Sequence, residues 1–294
     1  MANFARIAYY LAAGLRRLHW NSNRLKEYQD RRVRAVVRHA YDSVPFYHER
    51  FKRHGVSPED IKTVEDLDKL PVFSKDDFRN VSVSSLISRK HNVDGLKRLR
   101  TSGSSGKPFS VFINKAEDDW RKAIYLRANI SCGQHPRDSW VFVTAPRHFG
   151  DTTSIQRRIG VFAQKLIPVF EQPSRQLQLV RDADPDVLDG YSGALFLIAK
   201  EAEKLGVTDV RPRIVFGSSD SIDLASRKFI EKVFLSPYLD QYGCSEVNRV
   251  AWQCPQQLGY HMDVDSVVTQ FVDTEGMDVS RGEQGEIVRC CCKI

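Results

Sequence analysis

The residues best placed to do chemistry stand together at Thr101-Ser102-Gly103-Ser104-Ser105-Gly106-Lys107-Pro108. Small hydroxyls, two glycines and a lysine share eight positions. Glycine lets backbone N–H groups approach phosphate oxygens closely, the hydroxyls add donors, and the lysine adds charge. The segment is not a Walker A loop, which needs four residues between its glycines and Ser or Thr after the lysine. A plain Ser/Gly surface turn is the competing reading. A second cluster is Tyr242-Gly243-Cys244-Ser245-Glu246, after the short run SPYLDQ. It reads as a loop at the carboxyl edge of a strand, where ligands bind in open α/β sheets. There a tyrosine can stack on a base and a glutamate can hold Mg²⁺ through oxygen. An ordinary turn would use the same residues. Cys254 and His261 follow with C-x₆-H spacing. They could supply half of a tetrahedral zinc site, or be a buried cysteine and a hydrogen-bonded histidine. His148, in TAPRHFG, is a candidate for substrate contact or a capped loop residue.

Elements must position these groups. Residues 1–95 read as mostly helical. In QDRRVRAVVRHAY, Val33, Val36, Val37, Ala40 and Tyr41 share a helix face, with Pro45 as a stop signal. FYHERFKRHG predicts a short helix ending at Gly55, and SPEDIKTVEDLDKLP and SKDDFRN predict capped turns or short helices. From about residue 96, β-rich runs alternate with helical patterns. The runs are FSVFI (109–113), SWVFVTA (139–145), RIVFG (213–217), VVTQFVD (267–273) and GEIVRC (285–290). Helices are expected near 115–130, 153–167, 192–205 and 223–234, the second with Ile155, Ile159, Phe162 and Leu166 on one face. This alternation predicts βαβ units. The expected fold is α/β, a helical N-terminal segment (1–95) followed by a mixed or parallel sheet core flanked by helices (96–294).

The chain has 294 residues, 41% hydrophobic and 28% charged, which argues against global disorder. No run reaches the ~18–20 apolar residues of a membrane span, and a signal peptide is not expected. The net charge of +7 is uneven. Residues 1–100 carry 21 basic and 12 acidic side chains, a surplus of +9. That surplus is either a solvated helix face or a membrane-surface or polyanion contact; nothing matches a nucleic-acid-binding motif. Six cysteines, three of them consecutive at Cys290, Cys291 and Cys292, make a poor disulfide framework, so a reducing cytoplasm is expected.

In order and spacing, TSGSSGKP and, about 140 residues later, YGCSE resemble the adenylate-forming superfamily. VPFYHERFKRHGVSPEDIKTVEDLDKLPVFSKDDFR narrows the resemblance to phenylacetate–CoA ligases and their capsular-polysaccharide-type relatives, from about residue 28 to about 289. The resemblance implies an AMP-forming acid–thiol ligase that couples a small carboxylic acid to coenzyme A through an acyl-adenylate. It implies that Thr101, Ser102, Gly103, Ser104, Ser105, Gly106 and Lys107 form the phosphate loop. Gly217, Ser218 and Ser219 would line the adenine and substrate pocket, and Gly190-Tyr191-Ser192 would border the acid pocket. Tyr242 would stack on adenine beside Gly243, Ser245 would contact the AMP phosphate, and Glu246 would bind Mg²⁺, with Lys107, Ser245 and Glu246 as catalytic candidates. Many phenylacetate ligases have a glutamate and a proline where this chain has Ser219 and Asp220, which favours the polysaccharide-type branch. Relatives continue past the GEQGEIV run with an Arg-x-x-x-Asp segment and a small lid domain bearing a lysine; some complete a zinc site with Cys-x-Cys-Gly. The expectation is a truncated large domain that adenylates poorly alone. A non-catalytic nucleotide-binding module needing a partner lid is the other reading. A homodimer is one assembly open to it.

Overall fold

The computed structural model describes residues 3–100, 109–146 and 154–291. In chain order it has α1 (Phe4–Arg17), α2 (Ser22–Ser43), α3 (Pro45–Arg53), α4 (Lys75–Arg79), α5 (Val83–Leu86), β1 (Lys97–Arg100), β2 (Ser110–Ile113), α6 (Lys115–Ser131), β3 (Trp140–Thr144), α7 (Ser154–Ile159), β4 (Gln164–Pro168), α8 (Pro173–Ala183), β5 (Val187–Tyr191), α9 (Ser192–Leu205), β6 (Ile214–Ser218), α10 (Leu224–Phe234), β7 (Tyr238–Cys244), β8 (Asn248–Trp252), β9 (His261–Met262), β10 (Val267–Val272) and β11 (Glu286–Cys291). Short 3₁₀ turns occupy Pro58–Asp60, Val64–Lys69 and Val93–Gly95. By its contacts the chain divides into two compact units. One takes Ile124–Cys244 and Ala251–Met262; the other takes Phe4–Ala123, Ser245–Val250 and the chain from Asp263 onward.

The first unit is built on a sheet. Its strand order is β4-β3-β5-β6-β7, continued by β8 and β9. The pairs β3·β4, β3·β5, β5·β6 and β6·β7 are parallel, and β8·β9 is antiparallel. β3 and β6 are near-continuous runs of buried residues, as a strand covered on both faces must be. Val141, Val143, Leu188, Val215, Leu195, Ile198 and Phe234 belong to one apolar cluster, and Trp140, Val187, Phe216, Leu239 and Trp252 to a second. Helix ends follow local chemistry. Asp223 caps α10 by accepting from Ser226 N at 2.6 Å. Gly206 ends α9 in the left-handed conformation at φ 66°, as the sequence predicts.

The second unit joins α1–α5 to two antiparallel ribbons, β1·β2 and β10·β11. The predicted face of α2 is present: Val33 and Val37 are fully buried in a cluster with Phe51, Ile61, Leu67 and Val268. Asn21 caps α2 by accepting from Arg24 N at 2.9 Å. Pro45 follows α2 and also opens α3 at its first turn, where its missing N–H costs nothing. Capping boxes pair Ser57 with Asp60, Thr63 with Asp66 and Ser74 with Asp77.

Two expectations fail. The helix foreseen over 153–167 stops at Ile159. Gly160 (φ 64°) and Phe162 (φ 47°) turn the chain, and Leu166 lies in β4 instead of on a helix face. Tyr242, Gly243 and Cys244 are the last residues of β7 rather than a loop beyond it.

Candidate functional site

In the first unit, Gly190-Tyr191 ends β5 and Gly217-Ser218 ends β6, next to β7 with its terminal Tyr242 and Gly243. Ser218 registers with Tyr191 on one side and Gln241 on the other. The segments singled out by sequence therefore meet at the carboxyl edge of three neighbouring parallel strands. The close approaches there need glycine. A Cβ on Gly217 would fall 1.8 Å from Tyr238 Oη and 2.2 Å from its Cζ, so the Tyr238 ring fills the notch that Gly217 leaves. A Cβ on Gly190 would fall 2.9 Å from the Val143 carbonyl oxygen.

A hydrogen-bonded chain fixes this floor. Tyr238 Oη donates to Ser192 Oγ at 2.7 Å, and Ser192 Oγ donates to the Ser218 carbonyl at 3.1 Å. Burial pushes the Tyr238 phenol well above its usual range, partly opposed by the Ser192 hydrogen bond. The group is a neutral donor at all ordinary pH. Ser219 follows at φ 72°, left-handed backbone for a residue with a Cβ and hence locally strained. Asp220 N donates to the Ser218 carbonyl at 2.9 Å, and Asp220 Oδ2 lies 3.5 Å from where a Gly193 Cβ would stand, in the first turn of α9. Tyr242 is 39% exposed, accessible to a stacking partner. Beneath the edge, the Asp189 carboxylate is fully buried and accepts from Tyr125 Oη at 2.5 Å.

Ser245 and Glu246 belong to the second unit. Arg121 on α6 donates to the Ser245 and Glu246 carbonyls, each at 2.8 Å. Glu117 accepts from the same guanidinium at 2.7 Å. Lys75 Nζ is 2.9 Å from Glu246 Oε1, with the carboxylate three-quarters buried. An ammonium thus occupies one cation position on Glu246. That arrangement fits an oxygen donor to Mg²⁺, which takes one or two protein carboxylates and completes its shell with water and phosphate.

Sequence reasoning missed Tyr238, Arg121 and Lys75. The i,i+4 pair Glu117–Arg121 is the one local signal, and it reads equally as a solvated face. Thr101 to Lys107 and His148 lie outside the described residues. Cys254 is half-buried against the second apolar cluster. The His261 ring stacks on Trp252, with centroids 4.5 Å apart at 27°. Among the described residues no three His, Cys, Asp or Glu side chains gather as a metal-binding group.

No family model matches the chain. It is 26% identical over 286 residues to the phenylacetate–coenzyme A ligase of Pseudomonas putida, covering 90% of this chain and 62% of that protein. It is 28% identical over 274 residues to the Escherichia coli ligase of the same name, with the same coverage. The structure superposes on 2-hydroxyisobutyryl-CoA ligase, in complex with 2-HIB-AMP and CoA in the thioesterification state. The TM-score is 0.76 and the identity 19%, over 92% of this chain and 61% of that one. The chain shares the fold of that ligase. The open conformation of the same ligase gives a TM-score of 0.73. The similarity to phenylacetate–CoA ligases read from the sequence is thereby borne out, and so is the α/β architecture. The chain spans about three-fifths of the length of these relatives.

Proposed function

We propose that this chain is the large domain of an ATP-dependent carboxylate ligase similar to phenylacetate–CoA ligase. One observation carries the reading. Gly217-Ser218-Ser219 and Tyr242-Gly243 end adjacent parallel strands, in a fold shared with an acyl-CoA ligase. The substrate carboxylate attacks the α-phosphorus of ATP, and the bond to pyrophosphate breaks. The thiolate of coenzyme A then attacks the acyl carbon and displaces AMP. The residues position and neutralise; none forms a covalent intermediate. Tyr242 offers a ring to the adenine, and the rigid Tyr238–Ser192–Ser218 chain holds the pocket floor. Ser245 contacts the AMP phosphate. Lys107 and the hydroxyls of Thr101 to Ser105 bind phosphate oxygens. Glu246 holds Mg²⁺, which would offset charge on the phosphates. Ser219 and Asp220 favour the polysaccharide-type branch over an aryl acid. Cys254 and His261 would be at most two donors of a zinc site that no third described residue completes. Among the described residues no helix is long and apolar enough to cross a membrane. The six cysteines, a poor disulfide framework, are the ground on which we place the protein in the cytoplasm.

The test is acid-dependent ATP–pyrophosphate exchange across a panel of aryl, aliphatic and sugar acids. Glu246→Gln is expected to lower exchange about a hundredfold, the scale of one lost charge-stabilising group. Lys75→Ala should retain exchange and reduce the Mg²⁺ needed for half-saturation, since it removes a competing cation. Nucleotide binding without exchange for any acid would overturn the ligase reading and leave a binding module.

A further inference from the structure

Helix α1 is apolar on two sides: Ile7, Tyr10, Leu11, Gly14 and Leu15 are partly or fully buried, and a second set of apolar residues is exposed. Arg6 Nε donates to Asp119 Oδ2 at 2.7 Å, and Arg17 Nε donates to Asp265 Oδ2 at 2.5 Å. Both carboxylates are buried, 1% and 6% exposed. Phe4, Ala5, Ala8, Tyr9 and Ala12 follow helical spacing and are all exposed, Tyr9 by 69%. Arg16 continues this face at its carboxyl end. The next turn adds Leu18, 42% exposed, and Trp20, with the Arg24 guanidinium 4.3 Å from its ring centroid. From Met1 to Lys26 the sequence carries Arg6, Arg16, Arg17, Arg24 and Lys26 and no acidic residue.

We propose that the outward face of α1 docks on an anionic lipid surface, with Tyr9 and Phe4 at headgroup depth and Arg16 and Arg24 against lipid phosphates. Charge complementarity selects this occupant. Two copies of the face would bring like charges together. An anionic bilayer offers apolar depth and negative charge at once, the combination that holds interfacial helices. Aromatic rings with one apolar and one wet side suit that boundary. The inward Arg6 and Arg17 pairs keep the helix seated on its own unit while the apolar face looks out. This inference stands independently of carboxylate activation.

The test is co-sedimentation of the full chain with phosphatidylcholine vesicles, with and without about one-third phosphatidylglycerol. Binding is expected to the anionic vesicles alone, falling at least about fivefold at high salt. Tyr9→Glu combined with Ala12→Glu should cut it at least about tenfold, and Arg16→Glu about fivefold, with unchanged thermal melting. Hydrogen exchange on the unsubstituted protein serves where a variant folds poorly: residues 4–17 should gain protection when anionic vesicles are added. Three results would overturn the proposal. They are equal binding to both vesicles, binding that Tyr9→Glu with Ala12→Glu leaves intact, and a concentration-dependent dimer that this pair of substitutions abolishes.

Discussion

The two units hold their polar groups in place by different means. The first relies on apolar area: the side chains of β3, β5 and β6 seal against α8, α9 and α10, and the polar groups at the strand ends, Tyr238, Ser192 and Ser218, make neutral hydrogen bonds. The second has a small apolar centre around Val33 and Val37 and relies on opposite charges. Arg6–Asp119 and Arg17–Asp265 tie segments far apart in sequence, and the fully buried Arg249–Asp263 pair joins residues 14 apart. Neutral hydrogen bonds thus hold the polar groups of the first unit, and paired charges hold those of the second. The difference teaches that the elements carrying Tyr242 and Glu246, four residues apart, answer to different conditions.

Three perturbations break or sharpen that contrast. The largest effect is expected from Asp263→Ala. Its partner Arg249 Nε, 2.9 Å away and 3% exposed, would be left charged in the interior, at a cost of about 3–5 kcal/mol. Urea unfolding with hydrogen exchange should show lost protection in the second unit first; equal loss in both would mean that the units open together and that the contrast has no energetic content. Gly217→Ala is next. Its methyl would collide with the Tyr238 ring, and overpacking of that kind costs about 1–3 kcal/mol, here within the first unit. Displacing the ring also breaks the bond to Ser192, so the acid KM should change more than the ATP KM. The smallest effect comes from acid. Hydrogen bonding to Lys26 holds Glu65 down at about 2, and capping hydrogen bonds hold Asp60 and Asp77 below the usual range; Asp66 is held low first by Lys69 and then by capping bonds. A depressed carboxylate contributes stability above its unfolded value near 4–4.5, and that contribution disappears as pH falls toward 2. Circular dichroism between pH 5 and 2 should therefore show helix loss in the second unit, flattened by Glu65→Gln together with Asp77→Asn.

Much of the fold was legible where local chemistry decided it. SWVFVTA and RIVFG are continuous apolar runs and became central strands; α9 and α10 carried both their periodicity and their caps. β5 was missed because VLDGY contains a carboxylate, and Asp189 is tolerated there because Tyr125, remote in sequence, donates to it. The 153–167 pattern misled because apolar spacing persists through Gly160 and Phe162, whose positive φ values no helix accepts. At the candidate site, residue types announced Gly217, Tyr242 and Glu246. Nothing local announced Lys75, Arg121 or Tyr238, whose roles exist through partners in other elements.

The spacing of Arg17 and Asp265 along the chain has a consequence on the ribosome. The two are separated by 248 positions, and Val268 joins Val33 and Val37 across a similar distance. During synthesis the N-terminal helices emerge first, with an arginine facing inward toward a carboxylate not yet made. Their apolar seam waits just as long for its closing strand. That topology makes this closure non-local and slow, and it leaves α1 and α2 open to chaperones until residue 268 has been made. A nascent chain arrested before residue 263 should carry these helices in a protease-sensitive state, and release past residue 268 should protect them.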